Sequence, residues 1–403
     1  MSRPRVLVVG DGAVPTGFAR VIHSVFTRLL DRLDIVQLGV NFPGDPHDWP
    51  WPIYRAGLHG EPFGSNRLVP LAEALRPDVI LLVSDPSVVR EYLRVLGGWR
   101  ERASVRVAAY VPVERAPLMR GYVEPLGGLD LLVAYTEFGA QAFRHAQARI
   151  QARQPGFRLP PIAVVPHGVD TGVFHPLHPG VPPDRTAVRR RLFGDDEAHD
   201  AFIVLNANRN QPRKRIDVTI QGFAEFARDK PRNVLLFLHM GRRDLGWDVV
   251  EMCERHGLDG RLVMSTAGQG MPLLSPAEVN DVYNACDVGL NTASGEGWGL
   301  VAFEHAATGA AQVGPDHSAP AELWRGAAEL LPPAYTLVNH ENMEDELVVS
   351  PQSVAVALER LYDDRGYLLE MSRRAYENAT RPEYQWDAVA ERWAQLLLPV
   401  PEP

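Results

Sequence analysis

The chain has 403 residues, 45% of them hydrophobic and 23% charged, an ordinary composition for a globular protein. That length is too great for one ordinary core and suits two domains of roughly 150–200 residues each. The formal net charge of -9 argues against general nucleic-acid binding, whose proteins are usually basic, but allows a local basic pocket for one small anion.

In chain order, the first predicted strand covers 5–9 and ends in a glycine turn. Helical periodicity then runs over 17–34, with Val21, Phe26, Leu29 and Leu30 inward. Further strands are predicted over 35–40, 79–83, 105–110, 131–135 and 162–165. Strands alternating with helical stretches imply a parallel sheet with crossover helices. Residues 174–184, FHPLHPGVPPD, carry four prolines and read as a stiff linker and domain boundary. A helix over 186–193 opens a second series. Its strands are predicted over 202–206, 233–240, 262–265, 288–292 and 311–314. Its helices are predicted over 216–227, 248–256, 276–285 and 299–308, and a last helix over 382–398. The expected fold class is α/β, with two doubly wound, Rossmann-like domains facing a cleft. Ligands of such sheets bind at the carboxyl ends of the strands.

Three loops at such ends carry chemistry. After the strand at 202–206 the chain reads NANRNQPRKR, with Arg209, Arg213, Lys214 and Arg215 within seven residues. A fork of arginine donors and a compact lysine charge suit a diphosphate. The alternative is a solvated charged loop, against which the neighbouring Asn206, Asn208, Asn210 and Gln211 speak. After the strand at 288–292 comes SGEGWGLVAFE, with Gly295, Gly297 and Gly299 and the two carboxylates Glu296 and Glu304. Glycines let the backbone approach a ligand, a helix start offers free N–H groups, and carboxylates accept bonds from sugar hydroxyls. The alternative makes Glu304 a buried partner of a backbone group and Glu296 an exposed loop acid. The third loop, GDGAVPTG at 10–17, lacks the dinucleotide fingerprint, with Pro at 15 and no acid after the second strand. Gly12, Thr16 and Gly17 there fit a loop beside a sugar or phosphate, or a plain tight turn.

His167 and His317 are candidate general bases, with a structural role as the alternative. Asp85 and Glu114 follow strands of the first domain and are candidates for acceptor contacts. No Asp-x-Asp stands at a strand end, so a metal-chelated diphosphate is not indicated. Cys253 and Cys286 are too far apart in sequence for a disulfide framework or a zinc spacing, and a reducing cytoplasm is the expected compartment. The apolar run at 6–9 is too short for a signal peptide, and no segment reaches the ~18–20 apolar residues of a membrane span. That test does not address peripheral membrane contact, which stays a candidate association.

Together these residues resemble the retaining glycosyltransferases of the GT-B fold in family 4, the group 1 glycosyl transferases. The Glu-x7-Glu motif of that family is Glu296 to Glu304, and its Arg and Lys, five residues apart, match Arg209 and Lys214. VVPHGVDTGVF (164–174), NDVYNACDVGLNTA (280–293) and GPDHSAPAEL (314–323) are similar to flanking segments of the family, in the same order. One departure is YVPVER at 110–115, where many members carry a His near the reacting sugar.

The resemblance implies transfer of a hexose from a UDP- or GDP-sugar to a hydroxyl acceptor, with retention and without an essential metal or other cofactor. Arg209, Lys214 and Glu296 would carry the chemistry. Donor contacts would come from Asn208, Gly295, Gly297, Trp298, Gly299, Leu300, Glu304, Gly12, Thr16 and Gly17. Acceptor-side candidates are Asp85, Glu114 and His167. The domains would be 1–178, with 382–403 crossing back onto it, and 185–380. Alternatives are a non-catalytic nucleotide-sugar binder and a phage-type transferase acting on modified DNA. A phosphorylase-like enzyme would need a pyridoxal-binding lysine beside Lys214 and Lys230, and neither fits.

Overall fold

The structure is a computed structural model that describes residues 3–58, 60–194, 200–340 and 342–398. The chain divides into two compact units. The first comprises the chain up to Gly168, His340–Glu344, and the chain from Glu383; the second comprises Val169–Asn339 and Asp345–Pro382.

The first unit is built on β1 (Arg5–Asp11), β2 (Asp34–Val40), β3 (Ile53–Arg55), β4 (Val79–Val83), β5 (Arg106–Val111), β6 (Leu131–Ala134) and β7 (Ile162–Val164). These strands lie in the order β3-β2-β1-β4-β5-β6-β7, all parallel. The winding reverses between β1 and β4, which is where such sheets open to ligands. Leu7, Leu38, Ile80, Leu82, Val107 and Leu132 are buried against Leu68, Val89, Leu96 and Phe143 of the covering helices. Strands covered on both faces explain the unbroken apolar runs in the sequence.

Helicity predicted over 17–34 is confined to Gly17–Phe26, followed by a 3-10 turn at Thr27–Leu29, because the chain must turn into β2 at Asp34. The helix Trp386–Leu397 belongs to this unit. Its Trp386 lies over Gly168, where an added Cβ would come within 2.6 Å of the indole. Trp393 meets Tyr110 edge-on, and Arg28 and Arg32 pair with Asp387 and Glu391 at 2.5 and 2.6 Å. Residues 399–403 of the crossing segment expected from sequence lie outside the described residues.

The second unit holds β8 (Phe202–Asn206), β9 (Val234–Leu238), β10 (Leu262–Met264), β11 (Val288–Leu290), β12 (Ala311–Pro315) and β13 (Glu329–Leu331), in the parallel order β10-β9-β8-β11-β12-β13. Its winding reverses between β8 and β11. A hairpin of β14 (Pro333–Val338) and β15 (Asp345–Val349) follows. The segment from Val169 was read from sequence as part of the first domain, up to 178. It packs instead in the second unit: Phe174 lies 5.7 Å from the Tyr283 ring, and Asn280 and Asn284 bond the backbone of His175. Among the described residues no helix is long and apolar enough to cross a membrane.

Candidate active site

The reversal point of the second sheet places the loops after β8 and β11 side by side. A ladder of polar side chains ties them. Asn206 donates to the Thr219 hydroxyl at 2.9 Å, Thr219 and Thr292 share a 2.7 Å bond, and Thr292 lies 2.8 Å from the Arg215 carbonyl. The Ser294 amide donates to the Arg213 carbonyl at 2.8 Å. Pro212–Lys214 forms a 3-10 turn closed by Arg215 at φ +49°, and this turn sends the Lys214 side chain inward.

Lys214 and Glu296 are 7% and 6% exposed, and the Lys214 ammonium donates to the Glu296 carboxylate. Arg213 stands 3.8 Å from the same carboxylate and donates to the Gly295 carbonyl at 3.3 Å. Burial opposes ionisation of Glu296. The charges of Lys214 and Arg213, with bonds from Lys214 and the Gly297 amide, outweigh it and hold the carboxyl below its usual range. The Glu296 amide donates to Ser318 Oγ at 3.2 Å, and Ser318 Oγ is also 3.2 Å from His317 Nδ1. Burial pushes the His317 imidazole down to about 4. It is therefore neutral at pH 7 and supports the loop that holds Glu296.

Arg209 is not brought to this pair. It is half-exposed and forked onto Asp244 at 2.7 and 3.2 Å, a bond that raises its affinity for the proton. The loop that carries Asp244 is held by Asn210, which is fully buried, donates to the Trp247 carbonyl at 2.7 Å and accepts from the Trp247 amide at 3.1 Å. Gly246 is required there, since a Cβ would fall 2.1 Å from Asn210 Oδ1. Asn208 turns back to Asn206 Oδ1 through its amide and side chain at 3.0 and 2.9 Å. With Gly299, Asn208 lines a small cavity beside β11.

Glu304 lies inside the helix Leu300–Ala306, is 3% exposed, and accepts from the Tyr283 hydroxyl at 3.4 Å. Gly299 precedes that helix at φ +93°, which only glycine adopts readily. Leu300, the first residue of the helix, is half-buried. Trp298, read from sequence as a donor contact, stacks on Phe303 at 4.8 Å and is buried. Its side chain fills the core because the Gly297–Gly299 turn points it beneath the loop.

In the first unit, the loop after β1 is internally bonded. Asp11 accepts from Thr16 at 2.5 Å and from Asn41 at 2.8 Å, and Gln37 donates to the Asp11 carbonyl at 2.6 Å. Gly12 packs so closely that a Cβ would sit 2.5 Å from Phe42 Cβ. Thr16 caps the helix that Gly17 opens. Asp85 follows β4 and Glu114 follows β5. His167, past β7, is buried against the rings of Tyr135 and Tyr110 at 4.2 and 5.6 Å. Sequence reasoning did not single out Asp244, Tyr283, Ser318 or Tyr135, and named Asn210 only as a polar neighbour of the loop cations. Ser318 lay next to His317, and Asn210 next to Arg209, within quoted segments. Among the described residues no three His, Cys, Asp or Glu side chains group to hold a metal ion.

No family model matches the chain. Curated relatives include the D-inositol 3-phosphate glycosyltransferase of Kineococcus radiotolerans, 31% identical over 241 residues, covering 57% of this chain and 50% of that protein. The protein of the same name from Streptomyces bingchenggensis is 28% identical over 289 residues, covering 70% and 56%. The chain thus spans about half the length of the curated relatives it matches. Among solved structures, Anabaena HepE in complex with UDP-glucose superposes with a TM-score of 0.71 at 16% identity, covering 98% of this chain and 99% of that one. An E. coli trehalose-6-phosphate protein bound with UDP-2-fluoro glucose superposes with a TM-score of 0.68 at 16% identity over the whole of both chains. The two parallel, doubly wound sheets and these likenesses make the chain a GT-B-fold relative of the glycosyltransferases.

Proposed function

We propose that the chain is a glycosyltransferase that moves a hexose from a UDP-sugar to a hydroxyl acceptor, with retention of configuration and without an essential metal. The observation that carries this reading is the buried Lys214–Glu296 pair beside Arg213, at the carboxyl ends of β8 and β11. A diphosphate needs concentrated positive charge, and this edge supplies it in a chain whose net charge is -9. UDP is favoured over GDP because two proteins of similar fold were solved with UDP-sugars. The net charge speaks against DNA as the acceptor.

In this reading the bond between the anomeric carbon and the β-phosphate oxygen breaks. The electron pair leaves with UDP, where Lys214 and backbone N–H groups stabilise it. Arg209 joins them by exchanging Asp244 for phosphate. The acceptor oxygen bonds to the same face of the anomeric carbon and gives its proton to a phosphate oxygen. Glu296 holds donor-sugar hydroxyls and Glu304 the ribose. Melting of the chain with UDP and with GDP, followed by assay of UDP-sugar hydrolysis, tests the proposal. A rise in melting temperature with UDP and slow donor hydrolysis are expected. No response to either nucleotide refutes it.

A further inference from the structure

The first sheet carries chemistry that bears on what accepts the sugar. β4, β5 and β6 are parallel neighbours, so residues just past their carboxyl ends converge on one edge. Those residues are Asp85, Glu114 with Arg115, and Tyr135. Glu344 of the segment His340–Glu344, in the same unit, stands 3.6 Å from Arg115, and both side chains are nearly buried. Among the described residues, Asp85, Glu114 and Glu344 thus share the edge with Arg115. Burial most of all, and then Glu114 and Asp85 against the pull of Arg115, push the Glu344 carboxyl up to about 7.

Tyr135 is the second observation. The residue is 5% exposed, and its hydroxyl is buried with no hydrogen-bond partner among the described residues. Burial first, and then the charges of Asp85 and Glu114, oppose loss of its proton, so the hydroxyl stays protonated and able to donate. A buried hydroxyl without a partner is rare, and a ligand atom is its natural complement.

We propose that this edge is the acceptor subsite and that it selects an amino-polyol, an acceptor with a protonated amine near its hydroxyls, over a phosphorylated one. The proposal rests on the reading of the chain as a glycosyltransferase. Asp85 and Glu114 accept charge-assisted bonds from the ammonium, and the Tyr135 hydroxyl donates to an acceptor oxygen. An added positive charge also lets Glu344 ionise. A phosphate would meet the carboxylates of Asp85 and Glu114, a like-charge juxtaposition that rejects the ligand. The curated relatives carry a phosphorylated polyol in their names. This edge therefore marks a departure in acceptor chemistry.

The test measures binding of D-glucosamine, D-glucose and D-glucose 6-phosphate to the UDP-loaded full chain by calorimetry at pH 7. Glucosamine is expected to bind at least about tenfold more tightly than glucose, and glucose 6-phosphate more weakly than either. Asp85→Asn with Glu114→Gln should abolish the preference for the amine, whereas Tyr135→Phe should weaken glucosamine and glucose alike. UDP binding, measured separately on each variant, controls for folding. Tighter binding of glucose 6-phosphate, equal binding of all three probes, or binding of none overturns the proposal while UDP binding keeps the wider reading intact. Loss of UDP binding in the unaltered chain sinks both.

Discussion

The ammonium of Lys214 donates a hydrogen bond to the carboxylate of Glu296, and this bond joins loops that leave the neighbouring strands β8 and β11. Neither group has ready access to water, so each depends on the other for its charge. Removing one partner of a buried pair costs about 3–5 kcal/mol, because the other is left uncompensated. Lys214→Met should therefore lower the melting temperature and reduce turnover at least about tenfold. Adding Glu296→Gln should recover most of the melting temperature and none of the turnover. Full activity in the single variant would refute the assignment of Lys214.

Arg209 is predicted to behave differently, since its ion pair with Asp244 is partly exposed. Exposed pairs contribute about 0–1 kcal/mol, so Asp244→Asn should barely change the melting temperature. It should also free Arg209 for phosphate and lower KM for the UDP-sugar. Arg209→Ala should raise that KM. Identical KM values for the two variants would show that Arg209 does not reach the donor.

Glu304→Ala should reduce turnover at least about tenfold through loss of the ribose contact, as charged hydrogen bonds are worth roughly 1.5–3 kcal/mol. Gly299→Ala probes the same helix by another route. Its φ of +93° opposes any side chain, at a cost of about 1–2 kcal/mol. It should lower stability and, by shifting the helix start, turnover as well. Kinetics and thermal melting of both variants check the pair.

Stability should fall as the solution is acidified from pH 7 to pH 5. Burial pushes His23, His239 and His317 down to about 4 and His305 to about 3. Below an unfolded value of about 6.5 the unfolded chain binds protons that the folded chain refuses, so acid favours unfolding. Each histidine contributes up to about 1.4 kcal/mol per pH unit within that window. The Glu296 carboxyl, held low in the fold, adds a further loss below about pH 4.3, as pH falls through its folded value. His239→Gln should flatten the slope between pH 6.5 and 5. A melting temperature that is level from pH 7 to 5 would contradict this account.

Much of the fold was legible because β4 and its neighbours are buried on both faces and read as plain apolar runs. β3 was not, since it is three residues long and largely exposed at the sheet edge. The β14–β15 hairpin was missed because β14 is exposed along its whole length, so no inward-facing period marks it. In the candidate site, Lys214 and Glu296 were legible as local loop chemistry after strands. Asp244 was not, because only the strand order brings it to Arg209, and sequence does not give strand order. Trp298 shows the converse. Its apolar character is plain in the sequence, but whether the ring faces a ligand or Phe303 depends on the backbone turn at Gly299.

The helix Trp386–Leu397 has a consequence for synthesis on the ribosome. Domains made in order ordinarily fold in order, the amino-terminal one first. Here the first unit lacks the ring that covers Gly168 and the ring that meets Tyr110 until that helix has emerged. The second unit has all its residues once Pro382 has emerged. The half that is translated later is thus the half that can be finished earlier, and the half translated first waits, with Gly168 and Tyr110 uncovered, for the helix Trp386–Leu397.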